Sequence, residues 1–83
     1  AGMAEISESN IRKIMGRVWE IDPTAIPLGV GFNDIIQWDS LGHVNLLIAL
    51  EKEYNIAIDY EMLTKLVSIS AIIQFLKDNV HVG

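Results

Sequence analysis

Apolar residues follow a helical period at three places in the chain. Ile11, Ile14, Met15, Val18 and Trp19 recur at i, i+3, i+4, i+7 and i+8, which predicts an amphipathic helix from about Ser9 to Glu20. Ser7 or Ser9 can cap it, and Pro23 is a stop signal just beyond its end. A second helix is predicted from about Ser40 to Tyr54, with Ser40 as N-cap and Asp39 adding negative charge at the positive helix end. This helix carries two apolar stripes. Leu46, Leu47 and Leu50 lie on one side near Tyr54, and Leu41, Val44 and Ile48 lie on another. A helix apolar on two sides is normally sandwiched between neighbours, but so few elements can leave one side uncovered. The Leu41–Val44–Ile48 stripe is therefore read as a partner-facing patch. Ser68 caps a last helix, about Ile69 to Lys77, with Ile69, Ile72, Ile73 and Leu76 as its stripe.

The segments between these helices read differently. Residues 21–39 contain Pro23, Pro27, Gly29 and Gly31, which disfavour a regular element. Their apolar members Ile26, Leu28, Val30, Phe32, Ile35 and Ile36 predict a loop packed down on the core, and a loop of this length is often functional. Asn55 to Ile58 has no second strand to pair with and is read as an extended connection. A short helical turn is expected near Tyr60 to Lys65, and the tail Asn79 to Gly83 is expected to fray. The predicted fold class is all-α: a small antiparallel-type bundle of three main helices plus one short helix, with a long loop between the first and second helices.

Composition narrows the function. A chain of 83 residues fits one domain with one thin core and little room for a deep catalytic cleft. Ala1-Gly2 ahead of Met3 reads as a cloning remnant, leaving residues 3–83 as the single domain. A net charge of −5 without a basic cluster disfavours nucleic acid and favours basic protein partners. No apolar run is long enough to span a bilayer, so no stable membrane insertion is expected. No signal peptide is visible, and the cytoplasm is the default location. A monomer is expected. The absence of cysteine excludes disulfides and thiolate metal sites, and any thioester chemistry needs a sulfur brought from outside. His43 and His81 alone do not make a metal ligand set.

Candidate chemistry concentrates in Trp38-Asp39-Ser40-Leu41, where the long loop meets a helix N-terminus. Free backbone N–H groups and the helix dipole there favour an attached phosphate. A plain capping role for Ser40 is the commoner meaning of such a serine taken alone. The wider pattern changes the balance. Asp39-Ser40-Leu41, then Val44, Leu46-Leu47-Ile48-Ala49-Leu50-Glu51 and Tyr54-Asn55-Ile56-Ala57-Ile58, resembles the acyl carrier protein family. Phe32 and Ile36 stand at the upstream spacings where such carriers hold a Phe and a Leu, and Ser68-Ile69 with Ala71 to Leu76 looks like the family's last helix.

The resemblance spans roughly residues 9–77 and implies a carrier with no catalysis of its own. It implies 4′-phosphopantetheine on Ser40, installed from coenzyme A by a phosphopantetheinyl transferase with Mg²⁺. The arm's thiol would present an acyl group to loading and using enzymes of fatty-acid, polyketide or related biosynthesis. Some of Leu46, Leu50, Leu63, Leu66 and Ile72, most simply core, would by resemblance line an acyl cavity.

Departures point elsewhere within the family. Fatty-acid carriers have acidic residues where this chain has Gly42 and Asn45, leaving Glu51 and Glu53 beside Lys52. Charge complementarity sets partner choice and encounter rate, so the partners are expected to differ from housekeeping fatty-acid enzymes. Leu41, Val44, Ile48 and Glu51 are the partner-binding candidates. Ser40-Leu41-Gly42 with Val44 and Leu46-Leu47 is also similar to D-alanyl carrier proteins, which leaves an aminoacyl cargo open.

Each residue flanking Ser40 has two readings. Trp38 is expected to be a half-buried aromatic closing the loop, or a rim for the arm or a partner. His43 is expected on the helix surface, with phosphate contact as the alternative. Asp39 is a dipole partner, a transient Mg²⁺ ligand, or both. Asp39, Ser40 and His43 are the residue types of a hydrolytic triad, but two of them sit i and i+3 on one helix and no nucleophile elbow is recognisable. The remaining competitor is an unmodified helical interaction domain that binds a partner helix on the Leu41–Val44–Ile48 face.

Overall fold

The computed structural model describes residues 5–80; Ala1-Gly2 and His81 lie outside the described residues, as does the end of the tail. The fold is a small all-α bundle of three helices: α1 (Glu8–Trp19), α2 (Ser40–Tyr54) and α3 (Ile69–Asn79). Two 3₁₀ turns, Pro23–Ala25 and Tyr60–Thr64, lie in the connections. α1 packs against both α2 and α3, and the second 3₁₀ turn packs against α2.

Local chemistry sets the helix ends. Ser7, in extended conformation, caps α1 by accepting the Asn10 N–H at 3.1 Å, so the helix begins one residue earlier than the apolar stripe suggests. Ser68 caps α3 in the same way through the Ala71 N–H. Asn55 ends α2 in the left-handed conformation at φ 53°, which Asn adopts more readily than most residues. Asn79, read as the start of a fraying tail, is the last residue of α3.

The core follows the predicted stripes. Ile11, Ile14 and Met15 of α1 meet Leu46, Leu47 and Leu50 of α2 and Ile69, Ile72 and Leu76 of α3. Leu46, Leu50, Ile72 and Leu76 are wholly buried, and Leu66 joins them from the last connection. The loop between α1 and α2 contributes Ile26, Val30 and Trp38 to this core, whereas Leu28 and Ile36 project into solvent rather than packing down. Nor is the loop free of regular structure. Asp22 accepts the Thr24 N–H at 2.9 Å and nucleates the Pro23–Ala25 turn, whose proline occupies a position that needs no N–H.

Two polar devices bind the loop to the helices. The Arg12 guanidinium donates to the carbonyls of Pro23 and Ile26 at 3.1 and 2.7 Å, clamping the start of the loop on α1. Further along, Phe32 N–H donates to Val67 O at 2.8 Å beside an isolated antiparallel bridge between Gly31 and Ser68. The loop thus ties both to α1 and to the segment that enters α3.

Leu46→Ala or Leu50→Ala is expected to cost about 2–5 kcal/mol in urea or thermal melts, because each removes a fully enclosed side chain. Tyr54 supplies a pH-dependent contribution. Its hydroxyl donates to Glu5 O at 2.6 Å and accepts from Asn10 Nδ2 at 3.0 Å. Burial holds the phenol above its ordinary value; the Asn10 bond opposes this, and the Glu53 and Glu5 carboxylates add to the rise. A raised folded-state value means the contribution is complete below the normal phenol range and is lost as pH climbs through the raised value. Tyr54→Phe is expected to lower stability by about 1 kcal/mol at neutral pH, a gap that closes in alkaline melts.

Candidate functional site

The junction of loop and α2 is built by three neighbouring residues with separate tasks. Asp39, not Ser40, is the N-cap: its backbone is extended and its Oδ1 accepts the Gly42 N–H at 2.8 Å. Asp and Ser cap about equally well, and here the first of the two takes the position. Ser40 becomes the first residue of α2 and is exposed. Its hydroxyl has no hydrogen-bond partner among the described residues, and neither do the N–H groups of Ser40 and Leu41. Those open donors and the positive end of the helix make this a setting that tolerates a phosphate ester.

Gly42 explains why this helix carries no acidic residue at that position. A Cβ there would collide with the Gln37 carbonyl oxygen and approach the Trp19 indole nitrogen to 3.1 Å. The loop passes directly over the helix at Gly42, and the Trp19 indole N–H donates to the Gly42 carbonyl at 3.0 Å. The missing acid at position 42 is thus a packing requirement.

Behind Ser40 lies a buried polar network. Trp38 is fully enclosed, not half-buried, and His43 is only 4% exposed, not on the surface. The Trp38 indole N–H donates to His43 Nδ1 at 2.9 Å, and His43 Nε2 lies 2.8 Å from the Leu63 carbonyl oxygen. An indole nitrogen is only a donor and a carbonyl oxygen only an acceptor, so the network assigns neutral His43 with its proton on Nε2. Both ring nitrogens are committed inside the protein, which corrects the reading of His43 as a phosphate contact. Phe32 meets the imidazole edge-on at 5.3 Å and Trp19 stacks obliquely on Trp38 at 5.5 Å, completing an aromatic layer beneath the junction.

Ser40 also borders an open, largely apolar groove of about 410 Å³, lined by Phe32, Ser40, His43, Val44, Leu63, Thr64 and Val67. Of the five residues considered for an acyl cavity, Leu46, Leu50, Leu66 and Ile72 are packed core, and only Leu63 faces the groove. Thr64 and Val67 were not singled out by sequence, since nothing local marks which residues of the 3₁₀ turn and of the connection after it face the groove. A smaller depression continues past Val44 and Leu63 to Ile48, Glu51, Asp59 and Tyr60. Leu41 is 70% exposed, Val44 40% and Ile48 44%, so the second stripe of α2 is uncovered as its pattern predicts.

Among the described residues Ser40 has no base within hydrogen-bond reach, because His43 is turned away into the Trp38–Leu63 network. No group of three His, Cys, Asp or Glu side chains capable of holding a metal occurs among the described residues. None of the described helices is long and apolar enough to cross a membrane. A search of protein-family models finds none that matches the chain.

Alanine normally stabilises an exposed helix relative to glycine by about 1 kcal/mol. Gly42→Ala is expected to do the opposite, lowering stability by about 1–3 kcal/mol, because the loop carbonyl must be pushed off the helix. Comparison of urea midpoints for the two proteins checks the sign.

Proposed function

We propose that the chain is a carrier that bears 4′-phosphopantetheine on Ser40 and presents a thioester-bound acyl group to partner enzymes. The observation that carries this reading is an exposed serine hydroxyl with no internal partner, at the first turn of a helix and on the rim of an apolar groove. The resemblance of residues 9–77 to acyl carriers agrees with it.

The residues suit the group. In the modification step the Ser40 Oγ attacks the β-phosphorus of coenzyme A and forms an O–P bond. The pyrophosphate P–O bond breaks, 3′,5′-adenosine bisphosphate leaves, and the hydroxyl proton passes to a base of the transferase. Ser40 is open to such an enzyme. Asp39 keeps one carboxylate oxygen on the Gly42 N–H and has its other free of protein partners among the described residues, available to Mg²⁺ during transfer. The open N–H groups of Ser40 and Leu41 would be donors available to the phosphodiester's negative charge. When bound, the arm supplies the thiol that the cysteine-free chain lacks. The exposed Leu41, Val44 and Ile48 form the face offered to loading and using enzymes, with Glu51 half-buried at its edge.

Incubation with coenzyme A, Mg²⁺ and a broad-specificity phosphopantetheinyl transferase is expected to raise the intact mass by one arm, and Ser40→Ala is expected to abolish the gain. No gain where a control carrier is fully modified would favour the interaction-domain reading. Val44→Glu is expected to leave the circular dichroism spectrum and melting midpoint nearly unchanged, since Val44 is 40% exposed, while slowing transfer of the arm by about tenfold or more. A collapsed spectrum would instead make Val44 part of the core.

A further inference from the structure

We infer that the groove between the start of α2 and the Tyr60–Thr64 turn holds a short, neutral acyl cargo outside the helical core, and that His43 is the residue that closes the core to it. The inference rests on the carrier reading of Ser40 and adds the location and chemical class of what is carried.

The groove begins at the attachment point. Ser40, His43 and Val44 form its α2 side, Leu63, Thr64 and Val67 the opposite side, and Phe32 reaches in from the loop. Its volume of about 410 Å³ lies in the range of small-molecule sites. A group tethered to Ser40 starts on the rim, and covering this surface would remove exposed apolar side chains from water. None of the lining side chains carries a charge, His43 being neutral in its network. An aminoacyl ammonium placed there would lose hydration without gaining a counter-charge, whereas an alkyl chain would not.

The floor of the groove is shut. His43 Nε2 and the Leu63 carbonyl join its two walls at 2.8 Å, and Nδ1 is held by the buried Trp38. Behind them Leu46, Leu50 and Ile72 are wholly enclosed. A chain entering the core between α2 and the turn would separate His43 from Leu63 and leave buried polar groups unpaired, a penalty that the surface groove avoids. Cargo length is thereby limited to what the groove accommodates.

The test uses full-length protein with ¹⁵N-labelled amides and ¹³C-labelled Leu, Ile and Val methyls. It is loaded enzymatically with the bare arm, a butyryl arm or a glycyl arm, with each mass verified. Relative to the bare arm, butyryl is expected to shift the signals of Val44, Leu63, Thr64 and Val67 and to leave the methyls of Leu46, Leu50 and Ile72 in place. Glycyl is expected to leave the groove signals where the bare arm puts them. Val67→Trp, at a position 38% exposed, is expected to fill the groove and erase the butyryl-dependent shifts while the mass gain and the core methyl pattern persist. Butyryl shifts at the core methyls, or a butyryl spectrum identical to that of the bare arm, would overturn the inference with the carrier reading intact. Glycyl shifts in the groove equal to those of butyryl would overturn the assignment to neutral cargo. Failure to gain mass would remove the attachment itself, and with it both readings.

Discussion

The structure depends on one buried imidazole. The Trp38 indole N–H is enclosed in apolar surroundings and must find an acceptor, and His43 Nδ1 is the group that provides it. The same ring then donates to the Leu63 carbonyl, so one side chain joins the long loop, α2 and the second 3₁₀ turn. Each bond contributes only about 1 kcal/mol net, yet an orphaned donor in the same place costs about 1–3 kcal/mol. That asymmetry fixes the loop against the helix more firmly than its apolar content alone would, and it orders the wall from which Ser40 projects.

Around this anchor the loop–helix junction divides its labour. Asp39 satisfies the helix end, Gly42 admits the loop backbone, and Trp19 secures the Gly42 carbonyl from the far side. Ser40 is thereby relieved of any structural duty. The N-cap bond belongs to the neighbouring carboxylate, so the Ser40 hydroxyl has no internal hydrogen bond to lose among the described residues.

Local periodicity made the three helices legible. The stripe from Ile11 to Trp19, the capping serine Ser68 and the buried line Leu46–Leu50 follow from spacing, while of the two serines open as the first cap the structure takes Ser7. The exposed stripe Leu41–Val44–Ile48 followed from the same wheel. What failed depends on partners distant in sequence. His43 looks like a surface residue because its acceptor is a main-chain carbonyl twenty positions on, and a carbonyl leaves no mark in the sequence. Trp38 and Asp39 were misjudged for related reasons: one is enclosed by a loop whose path was not predictable, and the other competes with an adjacent serine of equal capping strength. A faint signal was present in Gly42. A glycine inside a helix is unfavourable unless something offsets it, and here the offset is the close approach of the loop backbone.

The oblique contact between Trp19 and Trp38 gives the molecule a built-in optical reporter. These are its two tryptophans, and both touch the first turns of α2 or the ring that anchors them. Their emission therefore comes from one small region next to Ser40 rather than from the bundle as a whole. Any event that loosens the loop from the helix lets water reach a sheltered indole and reddens the spectrum, while fraying of the far end of α3 leaves the emission unchanged.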